Sequence, residues 1–300
     1  MERKYLLHMM TAAKNLSPFD VNMAYDAGWE GCTPYTDVEL AEVKDLVQDA
    51  IFSRGPKGVK RTGIFIGGRD AFLAIDMLEL ARKSMVPPFE LSLFADPSGA
   101  FTTAAAMVAC VDKQLKESPG SGLRGQTVAV FGGTGPVGSV AAILAAQAGA
   151  KVVIVSHHSR EKADAVARLC GERYAVELTG ADGSSGTAVE ALVEQADVIF
   201  NAAKAGVRVV DAKQLAMARR LKVACDVNAV PPEGIEGLGV MDDARPLAGA
   251  PGAALGIGAL VVGNVKYQTQ HLLLKQMRES DTPQYLDFQQ AFQVARTHVG

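Results

Sequence analysis

At 300 residues and 48% hydrophobic content, the chain can bury one large core or two moderate ones. A formal net charge of −3, with no long Lys/Arg run, excludes bulk attraction to nucleic acid or to an anionic membrane. The longest nearly unbroken apolar stretch, Gly252 to Gly263, is too short to span a bilayer, and the N-terminus lacks the pattern of a signal peptide, so a soluble, cytoplasmic protein is expected.

Strand-like and helix-like segments alternate along the chain, which predicts an α/β fold of parallel sheets covered by helices. A strand over 5–11 leads to a helix over 18–27, and a second helix is expected over 38–52. A strand over 62–66, a helix over 71–85, a strand over 89–95 and a helix over 102–117 complete the first half. Three polar patches fall where these strands end or these helices begin. In the first, Ser17-Pro18-Phe19-Asp20 with Tyr25-Asp26-Ala27-Gly28, Asp20 either complements the helix dipole behind a Ser17 cap or meets a ligand. The second is Ile66-Gly67-Gly68-Arg69-Asp70, a strand-to-helix turn in which Asp70 either simply caps the helix or meets a ligand. The third runs from Asp96 through Pro97, Ser98 and Gly99 to Thr102 and Thr103.

Ser118 to Gly125 is the clearest linker, with one proline and three glycines in eight residues. The expected organisation is an N-terminal α/β domain over 1–122, a nucleotide domain over 123–263, and a tail over 264–300 that packs back on the first domain.

Beyond the linker, Gln126 to Phe131 is an apolar, β-branched run suited to a buried parallel strand. Gly133-Thr134-Gly135-Pro136-Val137-Gly138 follows and reads G-x-G-x-x-G, a helix is expected over 137–149, and Lys151 to Val155 is a second strand. That order is the βαβ context in which a dinucleotide pyrophosphate is held, in a Rossmann-type domain. The first glycine permits the tight turn, the second lets backbone approach the diphosphate, and the third lets helix pack on strand. Free amides at the helix start then meet the anion. A merely structural glycine turn is the alternative. The second strand ends in Ser156-His157-His158-Ser159-Arg160. No carboxylate stands there to bind a ribose 2′-hydroxyl; hydroxyl, imidazole and guanidinium groups favour a 2′-phosphate, hence NADP, with NAD also possible. A Ser-capped helix start with a solvated Arg160 is the competing explanation.

A helix over 161–174, strands over 175–178, 197–202 and 222–227, a helical segment over 256–276 and a final helix over 285–298 complete the pattern. Asp226-Val227-Asn228-Ala229 and the residues on to Gly234 form a fourth patch, expected at the carboxyl edge where α/β folds bind ligands. Cys32, Cys110, Cys170 and Cys225 are scattered, with no C-x-x-C and no His at ligand spacing, so no metal is expected. There is no G-x-S-x-G, no H-E-x-x-H, and no Tyr with a Lys four residues on. A nicotinamide site without acid–base machinery calls for a substrate whose hydride leaves without proton transfer.

The chain resembles the NAD(P)-dependent methylene-tetrahydromethanopterin dehydrogenases of methylotrophic bacteria, and more distantly their methylene-tetrahydrofolate-using relatives. The resemblance is carried by Ser17 to Val21, Asp26 to Gly28, Ile64 to Gly68, Thr102 to Ala106, Gly132 to Val137, Asp226 to Pro232, Gly256 to Leu260 and Val262 to Gln270, nearly the whole length. It implies a two-domain fold, with a Rossmann-type NAD(P) domain and an N-terminal α/β substrate domain completed by C-terminal helices. The implied activity is oxidation of methylene- to methenyl-tetrahydromethanopterin by direct hydride transfer, in one-carbon (formaldehyde) oxidation. The product cation is delocalised over two flanking nitrogens, so no proton need move. The protein has to bring the nicotinamide and the methylene carbon to roughly 3–3.5 Å and set negative groups beside the developing charge.

On this resemblance Asp20 and Lys266 are the catalytic candidates, with Phe19, Asp26, Thr102 and Thr103 on the substrate. Gly133 to Gly138, Ser156, His157, His158, Arg160, Asn228, Ala229 and Gly256 are the candidates for the cofactor. A tetrahydromethanopterin-type carrier and a homo-oligomer, trimer or hexamer, are implied as partners. The competing readings are a methylene-tetrahydrofolate dehydrogenase, an enzyme of shikimate-dehydrogenase type, which needs a Lys–Asp pair, and a catalytically silent NADP-sensing protein.

Overall fold

The structure, a computed structural model, describes residues 3–117 and 122–300. The first four residues of the expected linker, 118–121, lie outside the described residues. In chain order the elements begin with β1 (Leu6–Met10), α1 (Pro18–Asp26), β2 (Gly31–Tyr35), α2 (Val43–Phe52), α3 (Gly55–Val59), β3 (Thr62–Ile66), α4 (Ala71–Lys83), β4 (Ser92–Ala95) and α5 (Ala100–Glu117). They continue with β5 (Thr127–Phe131), α6 (Pro136–Gln147), β6 (Lys151–Ser156), α7 (Arg160–Tyr174), β7 (Leu178–Asp182), α8 (Gly186–Gln195), β8 (Val198–Asn201) and α9 (Ala212–Leu215). The last are β9 (Val223–Asp226), β10 (Arg245–Pro246), β11 (Leu255–Ile257), α10 (Ala259–Glu279), β12 (Tyr285–Leu286) and α11 (Phe288–Val299).

The chain condenses into two compact units. One is built from the described residues up to Thr102 together with Tyr267–Val294; the other takes the described residues of Thr103–Lys266 and Ala295–Gly300. The divisions therefore fall inside α5, α10 and α11.

The first unit carries a five-stranded parallel sheet in the order β12-β4-β3-β1-β2. Every residue of β3 and of β4 is buried, as the unbroken apolar runs of a parallel sheet covered on both faces require. Phe65 and Phe94, on neighbouring strands, meet edge to face at 5.5 Å, and Phe101 and Phe288 do the same. Each such ring stabilises the fold by roughly 1.5–3 kcal/mol through burial. The tail is tied in by β12, which pairs with β4, and by the Trp29 indole, which donates to the Leu274 carbonyl at 3.2 Å.

Two features here were not expected. Strand β2 has the sequence Gly-Cys-Thr-Pro-Tyr, with no apolar alternation to announce it, and only its place at the sheet edge lets Pro34 sit in a strand. The final helix begins at Phe288, later than expected, because Tyr285 and Leu286 are claimed by the sheet.

The second unit carries a seven-stranded sheet in the order β10-β11-β9-β8-β5-β6-β7, parallel except for β10. Renumbered within this unit, the parallel strands read 3-2-1-4-5-6, the doubly wound order of dinucleotide-binding domains. Phe131, Ile199, Val210, Leu215 and Ile235 belong to one core on this sheet. The strand expected over 175–178 is displaced to Leu178–Asp182, because Ala175 takes a left-handed φ of 53° in closing α7. Helix α8, capped by the Ser185 hydroxyl on the Ala188 amide, had no expected counterpart. The helical segment expected over 256–276 is divided. Leu255–Ile257 pairs in parallel with β9, so Gly256 lies in a strand, and the helix starts at Ala259. Among the described residues, no helix is long and apolar enough to cross a membrane.

Candidate functional site

The carboxyl edge of the second unit is organised by the glycine loop. After β5 the chain turns at Gly132, whose φ is +69° and where a Cβ would stand 2.5 Å from the Ala202 carbonyl. The left-handed turn is thus made one residue before Gly133, the position expected to make it. Gly133 is required for a different reason: a Cβ there would lie 2.7 Å from the Val130 carbonyl and 2.9 Å from Ile154. At Gly138 it would run into the Gly132 carbonyl and stand 2.7 Å from the Gly133 Cα, so α6 packs directly on the loop. Gly135 differs, since the nearest atom to its missing Cβ is the Gly132 carbonyl at 3.4 Å. It is the N-cap residue of α6, without a side chain to occupy the first-turn amides, and Pro136 follows at the first helical position. The amides of Val137 and Gly138 lack intrahelical acceptors and sit at the positive end of a twelve-residue helix. Such a cradle suits a diphosphate, because a side chain at Gly135 would fill the approach the anion needs.

At the end of β6, Ser156 is buried and its hydroxyl accepts from the amides of His158, at 3.2 Å, and Ser159, at 3.5 Å. Ser159 caps α7 by accepting from the Lys162 amide at 3.3 Å. Both serines shape the turn, which leaves His157, His158 and Arg160 exposed on it. The two imidazoles stack at 3.8 Å, and the charge of His157, then that of Lys162, holds the His158 pKa below its ordinary value. Arg160 lies 3.5 Å from Asp164, an exposed pair within α7. Asp182, opposite Ser156 in the register, is engaged with the Ser184 amide at 2.9 Å and its hydroxyl at 3.0 Å.

Past the cradle, the ends of β8 and β9 join in a buried network. Asn201 donates to Asp226 at 2.9 Å, and Asp226 also accepts from the amides of Asn228 and Ile235. Burial pushes the Asp226 pKa up, against the hydrogen bonds it accepts. The Asn228 side chain accepts from the Gly206 and Val230 amides and donates to the Pro232 carbonyl, so it holds the 228–232 loop in shape while Ala229 and Val230 are exposed. Asn201 escaped the sequence reading, because an Asn closing an apolar strand acquires meaning only beside its partner strand. Thr103 and Lys266, both half-buried and in helices α5 and α10, also belong to this unit.

In the first unit, Asp20 lies in the first turn of α1 and is 1% exposed. Its Oδ1 accepts from the Gln270 side chain at 2.7 Å, across 250 residues of sequence. Ser17 stands at the N-cap, but its hydroxyl makes no capping bond. Phe19 and Asp26 are exposed, so α1 separates these candidates from buried Asp20. Thr102 is fully buried; its hydroxyl donates to Asp96 at 2.7 Å, while the other Asp96 oxygen accepts from the Phe101 and Thr102 amides. Asp96, which opened the third polar patch, is thus the residue that fixes the start of α5. Among the described residues, no three His, Cys, Asp or Glu side chains gather as metal ligands.

The family model for the N-terminal region of methylene-tetrahydromethanopterin dehydrogenase matches residues 18–98. The chain is 48% identical over 290 residues to the NAD(P)-dependent methylenetetrahydromethanopterin dehydrogenase of Methylorubrum extorquens, covering 97% of each. It is 31% identical to the bifunctional protein MdtA of the same organism, over 93% of this chain and 94% of that one. Among solved structures, shikimate 5-dehydrogenase from Listeria monocytogenes aligns with a TM-score of 0.50 at 15% identity, covering 91% of each chain. An NAD-dependent malic enzyme from Thermotoga maritima aligns with 0.55 at 12% identity, over 97% of this chain and 84% of that one. These two likenesses show a shared fold alone. The near full-length identity to the first relative, with the N-terminal match, places the chain in the methylene-tetrahydromethanopterin dehydrogenase family.

Proposed function

We propose that the protein is an NAD(P)-dependent dehydrogenase that oxidises methylene-tetrahydromethanopterin to methenyl-tetrahydromethanopterin in one-carbon (formaldehyde) oxidation. The observation that carries the reading is the Gly132–Gly138 cradle in a doubly wound sheet, in a chain that belongs to this family. The first compact unit serves the pterin and the second the cofactor; Thr103 and Lys266, expected in an N-terminal domain of 1–122 and 264–300, belong to the second unit.

Residues Gly133 to Gly138 hold the diphosphate through the uncovered first turn of α6. His157, His158 and Arg160 receive a ribose 2′-phosphate, which favours NADP, with NAD also accepted. Ser156 and Asn228 contribute by fixing the turns that carry these groups, and Ala229 borders the same edge, whereas Gly256, expected beside the cofactor, is buried mid-strand opposite Ala224 and faces Leu238 and Leu247. When bound, the nicotinamide ring supplies the hydride acceptor.

Asp20 is the residue assigned to the developing methenyl cation. A carboxylate held in a buried, low-dielectric position acts on a nearby cation more strongly than one in water. By analogy with oxyanion donors it lowers the barrier by roughly 3 kcal/mol. Phe19, Asp26, Thr103 and Lys266 are assigned to the pterin, and Thr102, its hydroxyl committed to Asp96, to shaping the 96–103 turn. No proton transfer is asked of any of them, which accords with the lack of an acid–base pair.

We further place the protein in the cytoplasm, in keeping with four free thiols, as a homo-oligomer; exposed Met241 and Leu260 supply apolar surface for association. The deciding experiment is steady-state reduction of NADP⁺ and NAD⁺ with methylene-tetrahydromethanopterin and, separately, with methylene-tetrahydrofolate. Turnover of the methanopterin substrate with both nucleotides, NADP⁺ preferred, is the expected result. Cofactor binding without turnover of either pterin would leave a sensor in its place.

A further inference from the structure

Neither the cofactor cradle nor Asp20 accounts for the turn at Gly67-Gly68-Arg69-Asp70. In the first unit the order of strands reverses between β1 and β3, since β1 continues to β2 on one side and β3 to β4 on the other. Open α/β sheets bind ligands in the crevice at such a reversal. A cavity of about 250 Å³ lies there, lined by the turns at 12–13 and 67–68, by Leu73 and Met77 of α4, and by Arg69 and Asp70. That is below the roughly 300–1,000 Å³ of sites that enclose drug-sized ligands, so the space suits a ring system rather than a dinucleotide.

The turn is held open by its backbone. Gly68 has a φ of +119°, which side-chain-bearing residues rarely adopt. Its carbonyl accepts from the Ser98 hydroxyl at 2.6 Å, and Ser98 itself is held at a left-handed φ of 51°. Non-glycine residues in that region persist where surrounding structure enforces them, often at ligand sites. Asp70 Oδ1 accepts from the Phe72 and Leu73 amides, at 2.9 and 3.0 Å, which caps α4 and fixes the carboxylate. Its Oδ2 and the Arg69 guanidinium make no hydrogen bond or ion pair with any described residue, and both side chains are exposed. An acceptor and a fork of donors thus stand side by side on one rigid turn, next to apolar surface.

We propose that this cavity takes the bicyclic head of the tetrahydropterin, an assignment that rests on the functional reading above. The head's pyrimidine edge presents a 2-amino group and an N3–H as donors and a 4-oxo group as acceptor. Asp70 Oδ2 accepts from the donors, and Arg69 donates to the 4-oxo oxygen. The rings lie along Leu73, Met77 and the glycine and alanine turns. A site that hydrogen-bonds a substrate N–H discriminates strongly against the analogue lacking it.

Asp70→Asn tests the assignment, because the amide oxygen keeps the helix cap while the second oxygen becomes a donor facing donors. The probes are methylene-tetrahydromethanopterin as substrate and, as competitive inhibitors, 6-methyl-tetrahydropterin and its 2-oxo analogue. Asp70→Asn is expected to raise both the substrate KM and the inhibition constant of 6-methyl-tetrahydropterin about tenfold or more, as loss of a charge-assisted pair should. The KM for NADP and the Tm should stay at their wild-type values, and the 2-oxo analogue should inhibit the wild type weakly and the variant better. If the wild type turns over the substrate but Asp70→Asn changes neither constant by more than about twofold, the assignment is wrong while the functional reading stands. Equal inhibition of the wild type by the two analogues overturns it as well. A wild type that turns over no pterin overturns the functional reading and this assignment with it.

Discussion

The two sheets end in carboxyl edges built on opposite principles. In the second unit the edge is local: Gly132, Gly133, Gly135 and Gly138 lie within seven consecutive residues, and Gly132, Gly133 and Gly138 are needed because of atoms a few residues away or on adjacent strands. In the first unit the edge is assembled over distance. Asp20 is positioned by Gln270, Gly68 by Ser98, and β4 by β12 from the tail. A binding cradle for a constant chemical group, a diphosphate, can be written as a short motif, whereas a site for a particular substrate draws its groups from wherever the fold brings them.

That contrast can be broken most forcefully at the glycines. Gly138→Ala drives a methyl into the Gly132 backbone, so a lower Tm and a roughly hundredfold rise in the Kd for NADP, about 2.7 kcal/mol, are expected together. Gly135→Ala has room for its methyl, so it should weaken NADP about tenfold, or 1.4 kcal/mol, with no loss of Tm. Calorimetric titration beside thermal melting checks the pair; a Gly135→Ala protein that binds NADP normally would show that the diphosphate lies elsewhere.

Next in size is Asp20. Asp20→Ala should lower turnover at least about tenfold while the NADP affinity is nearly unchanged, and Asp20→Asn should follow it, since charge rather than the Gln270 bond is at stake. Unaltered kcat in either variant would reduce Asp20 to an anchor between α1 and α10.

Arg160→Ala should raise the KM for NADP by roughly fivefold, about 1 kcal/mol, and leave that for NAD alone; equal effects on the two would detach Arg160 from the 2′-phosphate.

The smallest expected effect is a pH dependence. With its pKa lowered chiefly by His157, His158 is neutral near pH 7 and gains its proton only on acidification. The preference for NADP over NAD should therefore rise roughly twofold to threefold as pH falls from about 7.5 to about 5.5, where the His158 imidazolium faces the phosphate. A flat ratio of the two kcat/KM values across that interval would remove the stacked histidines from cofactor choice.

Legibility from sequence follows the same division. The strand–glycine–helix–strand core of the nucleotide unit was readable because its hydrophobic runs and its turn are contiguous, and the error there was a single residue, Gly132 for Gly133. Strand β2 was not readable, because Gly-Cys-Thr-Pro-Tyr has no strand pattern and is a strand only by pairing with β1. Gly256 was placed in a helix because a glycine-punctuated apolar run has no definite period; β9 resolves it into a strand. Thr102 and Asn228 were visible as polar groups at strand ends, but whether a polar group meets a ligand or its own backbone depends on neighbours the local sequence does not name.

By itself, then, the sequence determined the α/β class, the strand–glycine–helix turn and the family, since these rest on contiguous patterns and close approach of backbone to backbone. Tertiary structure alone decided that Asp20 is buried against Gln270, that Asp96 rather than Thr102 anchors the start of α5, and that Arg69 and Asp70 stand open at the reversal between β1 and β3. The physical reason is that burial and hydrogen-bond saturation are properties of an environment, and those environments are made by segments up to 250 residues apart.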